Sequence, residues 1–320
     1  MNRELVARLG GLASAEDVPA AVASVYALDA TFTGSAPLGA LSGTDAITSF
    51  HGSVSAAFGG FTRKPLLSAT YRDASTGHDV LTVLGTWSGT MTGDWLGLSA
   101  SGCRREFRSI EVHRVSDGHV VDTVTMLDLL DLAVQCGAAD PRFAARSTAL
   151  WPAPRTPSAG DATVSAAVVQ TWLGEVADPG EDLEVLRSAR HLARLSWDFR
   201  WHGPAAIGSF EGGMAFVEGQ QHPFRRSFSA RRNGSTDSSH RHICHGAEGS
   251  LVVSGSWPAM VGLHTGDDWL GVPASGRVVA LRLVDVYAVV DGLIGENWVM
   301  IDMVHALAQM GVDTGFESAF

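Results

Sequence analysis

Carboxyl groups recur at three matched positions towards the end of each half of the chain, always 174 residues apart. The matched pairs are Glu111 and Asp285, Asp122 and Glu296, and Asp128 and Asp302. Each acid is interleaved with bulky apolar or aromatic residues. A carboxylate on an apolar wall loses hydration, and its pKa then rises towards neutrality. Such a group can take a proton from an organic substrate and return it near pH 7.

The same acids have a second interpretation. They could lie on a solvated face, or at a seam between domains where arginines pair with them. This interpretation is weakest for Asp128 and Asp302, because the Met-Leu and Met-Ile residues before them indicate an apolar strand end. A structure separates the two interpretations: an acid in an enclosed cavity without a guanidinium partner favours proton chemistry.

The spacing of these acids belongs to a longer internal repeat. "DWLGLSASG" at residues 94–102 returns as "DWLGVPASG" at 268–276, and the shift of 174 then holds without a gap for more than 40 residues. Further upstream, a shift of 160 aligns Gly43, Ile47 and Phe50 with a second set. That second set is Gly203, Ile207 and Phe210. The chain is therefore interpreted as a tandem duplication of one domain.

A proline-rich stretch marks the boundary between the copies. Residues 149–160 read "ALWPAPRTPSAG", a composition typical of a stiff, extended linker. The predicted domains are accordingly residues 1–148 and 161–320.

Composition limits the possible partners and compartment. The formal net charge is −11 and both halves are acidic, so nucleic acid and anionic membranes are poor partners. No apolar run is long enough to span a membrane, and no secretory leader is visible. The three cysteines form no CxxC motif, which argues against a disulfide scaffold. We expect a cytoplasmic protein.

The pattern of apolar residues predicts an α+β fold in each copy. Apolar residues at helical spacing predict helices at 16–30 and 43–58, and alternation then predicts strands, as listed next. The strands are expected at 79–91, 104–115 and 119–130, and a short helix ends near Gln135. In the second copy, helices are expected near 163–178 and 204–218, and strands near 250–263, 276–290 and 293–302. Helices followed by a run of antiparallel strands are typical of α+β domains.

A tight turn at Asp291-Gly292 predicts the register of the last hairpin. If Val290 faces Leu293 and the pairing continues evenly, alternate residues share one face. That predicted face carries Leu281, Leu283, Asp285, Tyr287, Glu296, Trp298, Met300 and Asp302. The matching face of the first copy carries Phe107, Ser109, Glu111, His113, Asp122, Val124, Met126 and Asp128.

Other groups of residues are less specific. His240, His242 and His245 have the alternation that a metal site can use, but the surrounding Ser and Asp residues favour a solvated cluster, and we assign no metal. Trp95 and Trp269 could pack over the rim of the domain or form a lid over a substrate. No GxSxG, P-loop or dinucleotide motif is present.

Several segments in matching order resemble the SnoaL-like polyketide cyclases of the NTF2-like superfamily, also termed ester cyclases. They are "WHGPAAIGSFE" (201–211), "DWLGVPASGR" (268–277), "VDVYAVVDGLIGENWVMIDM" (284–303) and "QMGVD" (309–313). The first copy matches more loosely through "LGALSGTDAITSF", "DWLGLSASG", "DGHVVDTVTMLDLLDL" and "QCG". The resemblance implies two cone-shaped α+β barrels of cystatin-like fold, arranged as an internal pseudo-dimer.

The resemblance also implies a mechanism. SnoaL-like cyclases close a ring by an intramolecular aldol step without a metal or organic cofactor, so none is expected here. Their acid/base aspartate falls on Asp128 and Asp302. Their histidine falls on His113 in the first copy, and Tyr287 stands at that position in the second. This departure leaves open whether one barrel or both are active.

Two functions therefore stand side by side. One is an acid/base enzyme, a cyclase, isomerase or hydratase acting on a small apolar carbonyl compound. The other is a non-catalytic module that binds an apolar ligand or a partner protein. The candidate catalytic residues are Asp302, Asp128, His113 and Asp285. The candidate substrate-binding residues are Tyr287, Trp298, Glu296, Glu111, His202, Trp201 and Trp269. A homodimer of the whole chain is a further expectation.

Overall fold

The structure, a computed structural model, describes residues 2–13, 16–144, 151–152, 154–155, 160–177, 180 and 182–316. Contacts divide the chain into two units. Unit 1 comprises Met1–Ala144, Asp302–His305 and Asp313–Phe320, and unit 2 comprises Ala145–Ile301 and Ala306–Val312. The predicted domain limits stay a prediction, and most of the predicted linker at 149–160 lies outside the described residues. Among the described helices, none has the length and apolar composition needed to cross a membrane.

Unit 1 is built on one sheet of six strands with helices packed beside it. Its strands are β1 (Tyr26–Gly34), β2 (Gly39–Ser42), β3 (Phe58–Arg72), β4 (Asp79–Met91), β5 (Arg104–Ser116) and β6 (His119–Leu127). Its helices are α1 (Asn2–Gly11), α2 (Val18–Val25), α3 (Thr44–Ala57) and α4 (Leu129–Gln135), followed by a 3₁₀ turn at Pro141–Phe143. The strand order is β2-β1-β6-β5-β4-β3.

Unit 2 repeats this plan with a sheet of seven strands. Its strands are β7 (Leu195–His202), β8 (Ser209–Glu211), β9 (Phe228–Asn233), β10 (Arg241–Glu248), β11 (Leu251–His264), β12 (Val278–Val290) and β13 (Leu293–Ile301). Its helices are α5 (Ala162–Val176), α6 (Leu183–Arg187), α7 (Gly213–Phe216) and α8 (His222–Ser227). The helix after the last strand, α9 (Met303–Gln309), has its first three residues in unit 1 and the others in unit 2. A π-helical turn at Val217–Gln221 joins α7 to α8, and 3₁₀ turns lie at Arg190–Arg194 and Gly234–Thr236. The order is β10-β11-β12-β13-β7-β8, and β9 pairs with β11.

The predicted α+β class and one sheet per copy are confirmed, but the sheets are mixed rather than antiparallel. β1 runs parallel to β6, and β7 runs parallel to β13. β1 was not predicted, because a helix was expected over residues 16–30. The helix in fact ends at Val25, and the β-branched and aromatic residues Thr31, Phe32 and Thr33 favour the strand that follows. The helix predicted at 204–218 is also wrong, since Gly208 and Gly212 interrupt it and a short strand precedes α7.

The upstream alignment by 160 residues is also corrected. Gly43 and Gly212 both precede a helix with positive φ, 80° and 84°. The Gly43 amide donates to Ala30 O of β1, and the Gly212 amide donates to Phe199 O of β7. These matched positions are 169 residues apart, so Gly43 corresponds to Gly212 and not to Gly203.

A one-residue bulge in the last strand of each unit overturns the predicted sheet faces. Val290 does face Leu293, and Val289 faces Ile294, but Ala288 then faces Glu296. Gly295 is the extra residue, and Val121 takes the same place in unit 1, where Val115 faces Val120 but Arg114 faces Asp122. Because side chains alternate along a strand, a shift of one residue moves every later side chain of the last strand to the other face.

Candidate functional site

Unit 2 contains a cavity of about 440 Å³ between its sheet and its helices, and this cavity is partly open to solvent. One wall is formed by the same face of β12 and β13. It consists of Leu281, Leu283, Asp285 and Tyr287 on β12 and of Asn297, Val299 and Ile301 on β13. The opposite side includes Trp172, Leu173 and Val176 of α5, Phe216 of α7, and Gln220, Gln221, Phe224 and Arg225 of the following turns. Apolar and aromatic side chains form most of the exposed lining, as in small-molecule sites. Polar side chains also border the cavity, and beyond those already named they are Arg231, Arg232, Asn233, Ser254 and Ser256.

Asp285 is the carboxyl group of this cavity. Its burial raises the pKa to about 7, although hydrogen bonds from Asn297 and Tyr287 act in the other direction. Asn297 Nδ2 donates to Asp285 Oδ1 at 3.2 Å. Among the residues that the structure describes, no arginine, lysine or histidine forms a salt bridge with Asp285. Near pH 7 this carboxyl group is therefore divided between its acid and its base form.

Tyr287 lies two residues along the same strand face. Burial raises the pKa of its phenol well above the ordinary value, and the neighbouring charge of Asp285 adds to this effect. Its ring meets that of Trp172 edge to face, with the centroids 5.6 Å apart. A phenol that keeps its proton is a hydrogen-bond donor, so Tyr287 can donate either to Asp285 or to an oxygen of a ligand.

Aromatic residues predicted from the sequence complete the walls. Trp201 lines the cavity and stacks on Phe216 at 5.6 Å, and Trp269 lines it from the repeated loop. Trp269 packs edge to face on Phe228 at 5.2 Å. Of the predicted site residues, Asp285, Tyr287, Trp201 and Trp269 are thus brought together around one cavity.

Two of the three arginines on the lining support helix ends, and the third, Arg232, forms a salt bridge with Asp237. The Arg225 guanidinium donates to the carbonyl of Val176 near the end of α5. The Arg231 guanidinium donates to Arg225 O at 2.8 Å, near the end of α8. Cationic side chains at helix C-termini satisfy carbonyl groups that would otherwise lack donors.

The matching interior of unit 1 is filled. Glu111, the counterpart of Asp285, forms a salt bridge with Arg63, and both side chains are buried. Trp87 Nε1 donates to Glu111 Oε1 at 3.1 Å, and the Arg63 guanidinium lies 4.9 Å from the centre of the Trp87 ring. Arg63 also donates to Leu9 O of α1 at 3.0 Å. The remaining cavity is only about 20 Å³, the space of a single water molecule.

His113, the predicted histidine, belongs to this filled interior. Its Nδ1 is 2.9 Å from Thr123 Oγ1, and its Nε2 is 3.6 Å from Glu111 Oε2. Burial, together with the positive charge of Arg63, lowers the pKa of His113 to about 3. The imidazole is therefore neutral at pH 7 and sealed among protein groups.

The two aspartates first selected as catalytic lie away from both cavities. Asp128 Oδ2 accepts from buried Arg108 at 2.7 Å, and its Oδ1 accepts from the Asp131 amide of α4. Asp302, which unit 1 includes, accepts from the Ala36 amide at 3.0 Å and from the His305 amide at 3.1 Å. Both carboxylates thus accept backbone N–H groups at the start of a helix, as capping residues do.

Glu296, Trp298 and His202 form a cluster on the sheet face opposite to Asp285. His202 Nε2 is 3.5 Å from Glu296 Oε1, and the His202 and Trp298 rings stack at 5.5 Å. Burial alone would raise the pKa of Glu296, but the nearby His202 side chain and the hydrogen bond from the Arg155 amide lower it. The bulge at Gly295 is the reason why Glu296 and Trp298 do not line the cavity, and His202 lies beside Trp298 on the neighbouring strand β7.

Three residues that matter for the site were not among the predicted ones. Asn297 was assigned to the opposite sheet face because the bulge was not predicted, although a glycine inside a strand, here Gly295, often marks a bulge. Gln221 lies in a helix whose limits were wrong, and Arg63 lies in β3, a strand that was not predicted. Within the described part of the chain, no cluster of His, Cys, Asp and Glu has the geometry to hold a metal ion.

Comparisons with known proteins agree with this duplicated architecture. The sequence profile of the family described as SnoaL-like polyketide cyclase matches residues 13–136 and 222–310. No curated protein matches the chain.

Three solved structures that are similar to this chain each correspond to less than half of it. IdmH from Streptomyces antibioticus is 17% identical, with 43% of this chain and 99% of that chain covered and a TM-score of 0.37. A protein with a ketosteroid isomerase-like fold from Catenulispora acidiphila, in complex with trimethylamine, is 15% identical, with 49% and 100% covered and a TM-score of 0.35. An NTF2-like protein from Burkholderia xenovorans is 13% identical, with 47% and 98% covered and a TM-score of 0.34.

Proposed function

The chain belongs to the SnoaL-like polyketide cyclase family, and we propose that unit 2 acts as a cofactor-independent acid/base enzyme on a hydrophobic carbonyl compound. The observation that carries this proposal is the position of Asp285. It is a half-buried carboxyl group with a pKa of about 7, at the wall of a cavity of about 440 Å³. A general base works best when its pKa lies near the working pH.

The proposed step is a proton transfer at carbon. The Asp285 carboxylate removes a proton from the carbon next to the substrate carbonyl, which leaves an enolate and a neutral Asp285. In a cyclisation the enolate carbon then attacks a second carbonyl carbon of the substrate, and the alkoxide oxygen that forms takes the proton back from Asp285. In an isomerisation the same carboxyl group returns the proton to another carbon of the enolate. Tyr287 donates its phenolic hydrogen bond to the developing oxyanion, while Asn297 holds the carboxylate through Oδ1. Aldol cyclisation and isomerisation both begin in this way, whereas in a hydration the same carboxylate would remove the proton from the attacking water.

The cavity walls support an apolar substrate. The cavity volume of about 440 Å³ lies within the range of about 300–1,000 Å³ that small-molecule sites occupy. Trp172, Trp201 and Trp269 offer ring faces and edges to a ligand.

A test of this proposal needs only a ketone of suitable size. We expect the protein to catalyse exchange of the α-protons of 2-tetralone, an aromatic bicyclic ketone, in D₂O, measured by proton NMR. Asp285→Asn should lower the rate above buffer by about 10²–10⁴-fold, the usual contribution of a general base. Asp291→Asn is the matched control, because this acid lies in the exposed turn of the same hairpin, where asparagine tolerates its positive φ of 49°.

The same experiment distinguishes the non-catalytic alternative. If unit 2 only binds its ligand, 2-tetralone should quench the fluorescence of the cavity tryptophans, but the protein should not accelerate exchange of the α-protons. Exchange that continues unchanged in Asp285→Asn would contradict the role given to this residue.

A further inference from the structure

The helix that covers the unit 2 cavity contains one residue more than its counterpart in unit 1. In unit 1, α3 runs without a break from Thr44–Ala57, fourteen residues. In unit 2 the three turns span residues 213–227, fifteen residues, and a π-helical turn at Val217–Gln221 absorbs the difference. A π turn of this kind is the usual result of a one-residue insertion, and such turns are frequent at functional sites.

The extra residue changes which side chain reaches the interior. Counted back from Phe58 and from Phe228, the two phenylalanines that follow the helices, His51 in unit 1 corresponds to Gln221 in unit 2. Both side chains are buried, 4% exposed in each case. His51 packs against the rings of Phe50 and Tyr26 in a filled interior. Gln221 instead lies on the lining of the open cavity.

Gln221 is held in one orientation by a buried histidine. His191 Nε2 and Gln221 Oε1 are 2.9 Å apart, and His191 is fully buried. An amide oxygen can only accept, so the hydrogen must be on His191 Nε2. Burial lowers the pKa of His191, so the ring is neutral at pH 7 and keeps this single donor. With its oxygen engaged, the Gln221 side chain has only its NH₂ group left to offer, and among the described residues that group has no hydrogen-bond partner.

We propose that Gln221, oriented by His191, is a specificity-determining residue that donates a hydrogen bond to a second oxygen of the ligand, away from the carbonyl that Asp285 serves. The inference rests on the proposed function for the place of the ligand, but it adds a ligand class: an apolar ring compound with two separated oxygen atoms. A buried amide left without an acceptor is costly, so a ligand that lacks the second oxygen binds less tightly.

Binding of a matched set of naphthols tests the inference. The probes are 2-naphthol, with one oxygen, and 2,6- and 2,7-dihydroxynaphthalene, with a second oxygen at two different positions. Dissociation constants come from calorimetry on the full chain at pH 7. We expect at least one of the diols to bind about five- to tenfold more tightly than 2-naphthol, the usual value of one hydrogen bond.

Variants then assign that preference. Gln221→Leu should abolish the preference for the diol while 2-naphthol binds as before. His191→Phe should reduce the preference in part, because the amide remains but is no longer oriented. Gln170→Leu, the same change on the exposed side of α5, should leave the preference intact. Thermal unfolding of each variant checks that the chain is folded, and the ratio of two dissociation constants is insensitive to a general loss of stability.

The outcomes separate this inference from the proposed function. A preference that persists in Gln221→Leu, or the absence of any preference or of any naphthol binding in the unmodified chain, overturns the role of Gln221. Asp285→Asn should keep the preference. If Asp285→Asn retains α-proton exchange while the diol preference depends on Gln221, only the catalytic proposal fails.

Discussion

The interiors of unit 1 and unit 2 carry a carboxyl group at the same place of the same strand, yet the two groups are in different chemical states. Glu111 faces Thr125 and Asp285 faces Val299 in matching registers. Glu111 is neutralised by Arg63 in a space for one water molecule. Asp285 has only neutral partners among the described residues and borders a cavity of about 440 Å³.

The difference arises on the neighbouring strands. In unit 1, Arg63 pairs with Trp87, which pairs with Phe107. The same line in unit 2 reads Asn233, Met260 and Leu281. Replacing a guanidinium by an amide and an indole by a thioether removes both the counter-charge and the filling volume. Asp285 is therefore a candidate base because the two neighbouring strands place neither a cation nor a large aromatic ring beside it.

The largest expected effect concerns pH and rate. Ionised Asp285 is the base, so α-proton exchange of 2-tetralone should rise nearly tenfold per pH unit well below pH 7 and level off above it, which amounts to about 50-fold between pH 5 and 7. Burial and the charge of Asp128 also raise the pKa of Asp131, in unit 1, to about 7. Asp131→Asn should leave the dependence of the exchange rate on pH unchanged. A shift of this dependence in Asp131→Asn would mean that the reaction takes place in unit 1 and not in unit 2.

A second prediction concerns the stability of unit 1. Glu111→Gln leaves the Arg63 guanidinium buried without a counter-charge, and should lower the free energy of unfolding by about 3–5 kcal/mol. Asp285 has no cationic partner among the described residues, so Asp285→Asn leaves no buried cation without a counter-charge and should not lower the free energy of unfolding in this way. Urea denaturation at pH 7 measures both. A loss below about 1 kcal/mol in Glu111→Gln would mean that the salt bridge does not hold the filled interior together.

The smallest effect is a pH-dependent difference in stability. The folded-state pKa of Asp285, about 7, lies above its ordinary value of 3.8, so the folded chain retains a proton that the unfolded chain has lost. Stability from this group is therefore lost as pH rises towards 7. Between pH 5 and 8, the unmodified chain should lose on the order of 2–3 kcal/mol relative to Asp285→Asn. Parallel urea titrations at the two pH values measure the difference, and equal losses would show that Asp285 is not buried without a cation.

Periodic features of the fold could be predicted from sequence, because they depend on local pattern. The repeat, the hairpins around Asp117-Gly118 and Asp291-Gly292, and the cavity residues Asp285 and Tyr287 all follow from spacing along one strand. β5 and β12 begin and end within two residues of the predicted limits.

Features that depend on one residue or on a distant strand could not be predicted in this way. A bulge at Gly295 or Val121 leaves the hydrophobic alternation almost unchanged, yet it exchanges the faces of every residue that follows. The Arg63–Glu111 salt bridge joins residues 48 positions apart, through β3, a strand interrupted by Gly59, Gly60 and Pro65. The π turn was hidden because apolar spacing alone cannot detect one extra residue within a helix.

The bulge also indicates the order in which structural changes arose relative to the duplication. It occupies the same place in both last strands, so it was present in the single ancestral domain before the gene was doubled. The additional helical residue occurs in one copy alone and so records a change after the doubling. Divergence between the halves thus acted on the lining of the interior, while the irregularity that orients the strands was inherited twice.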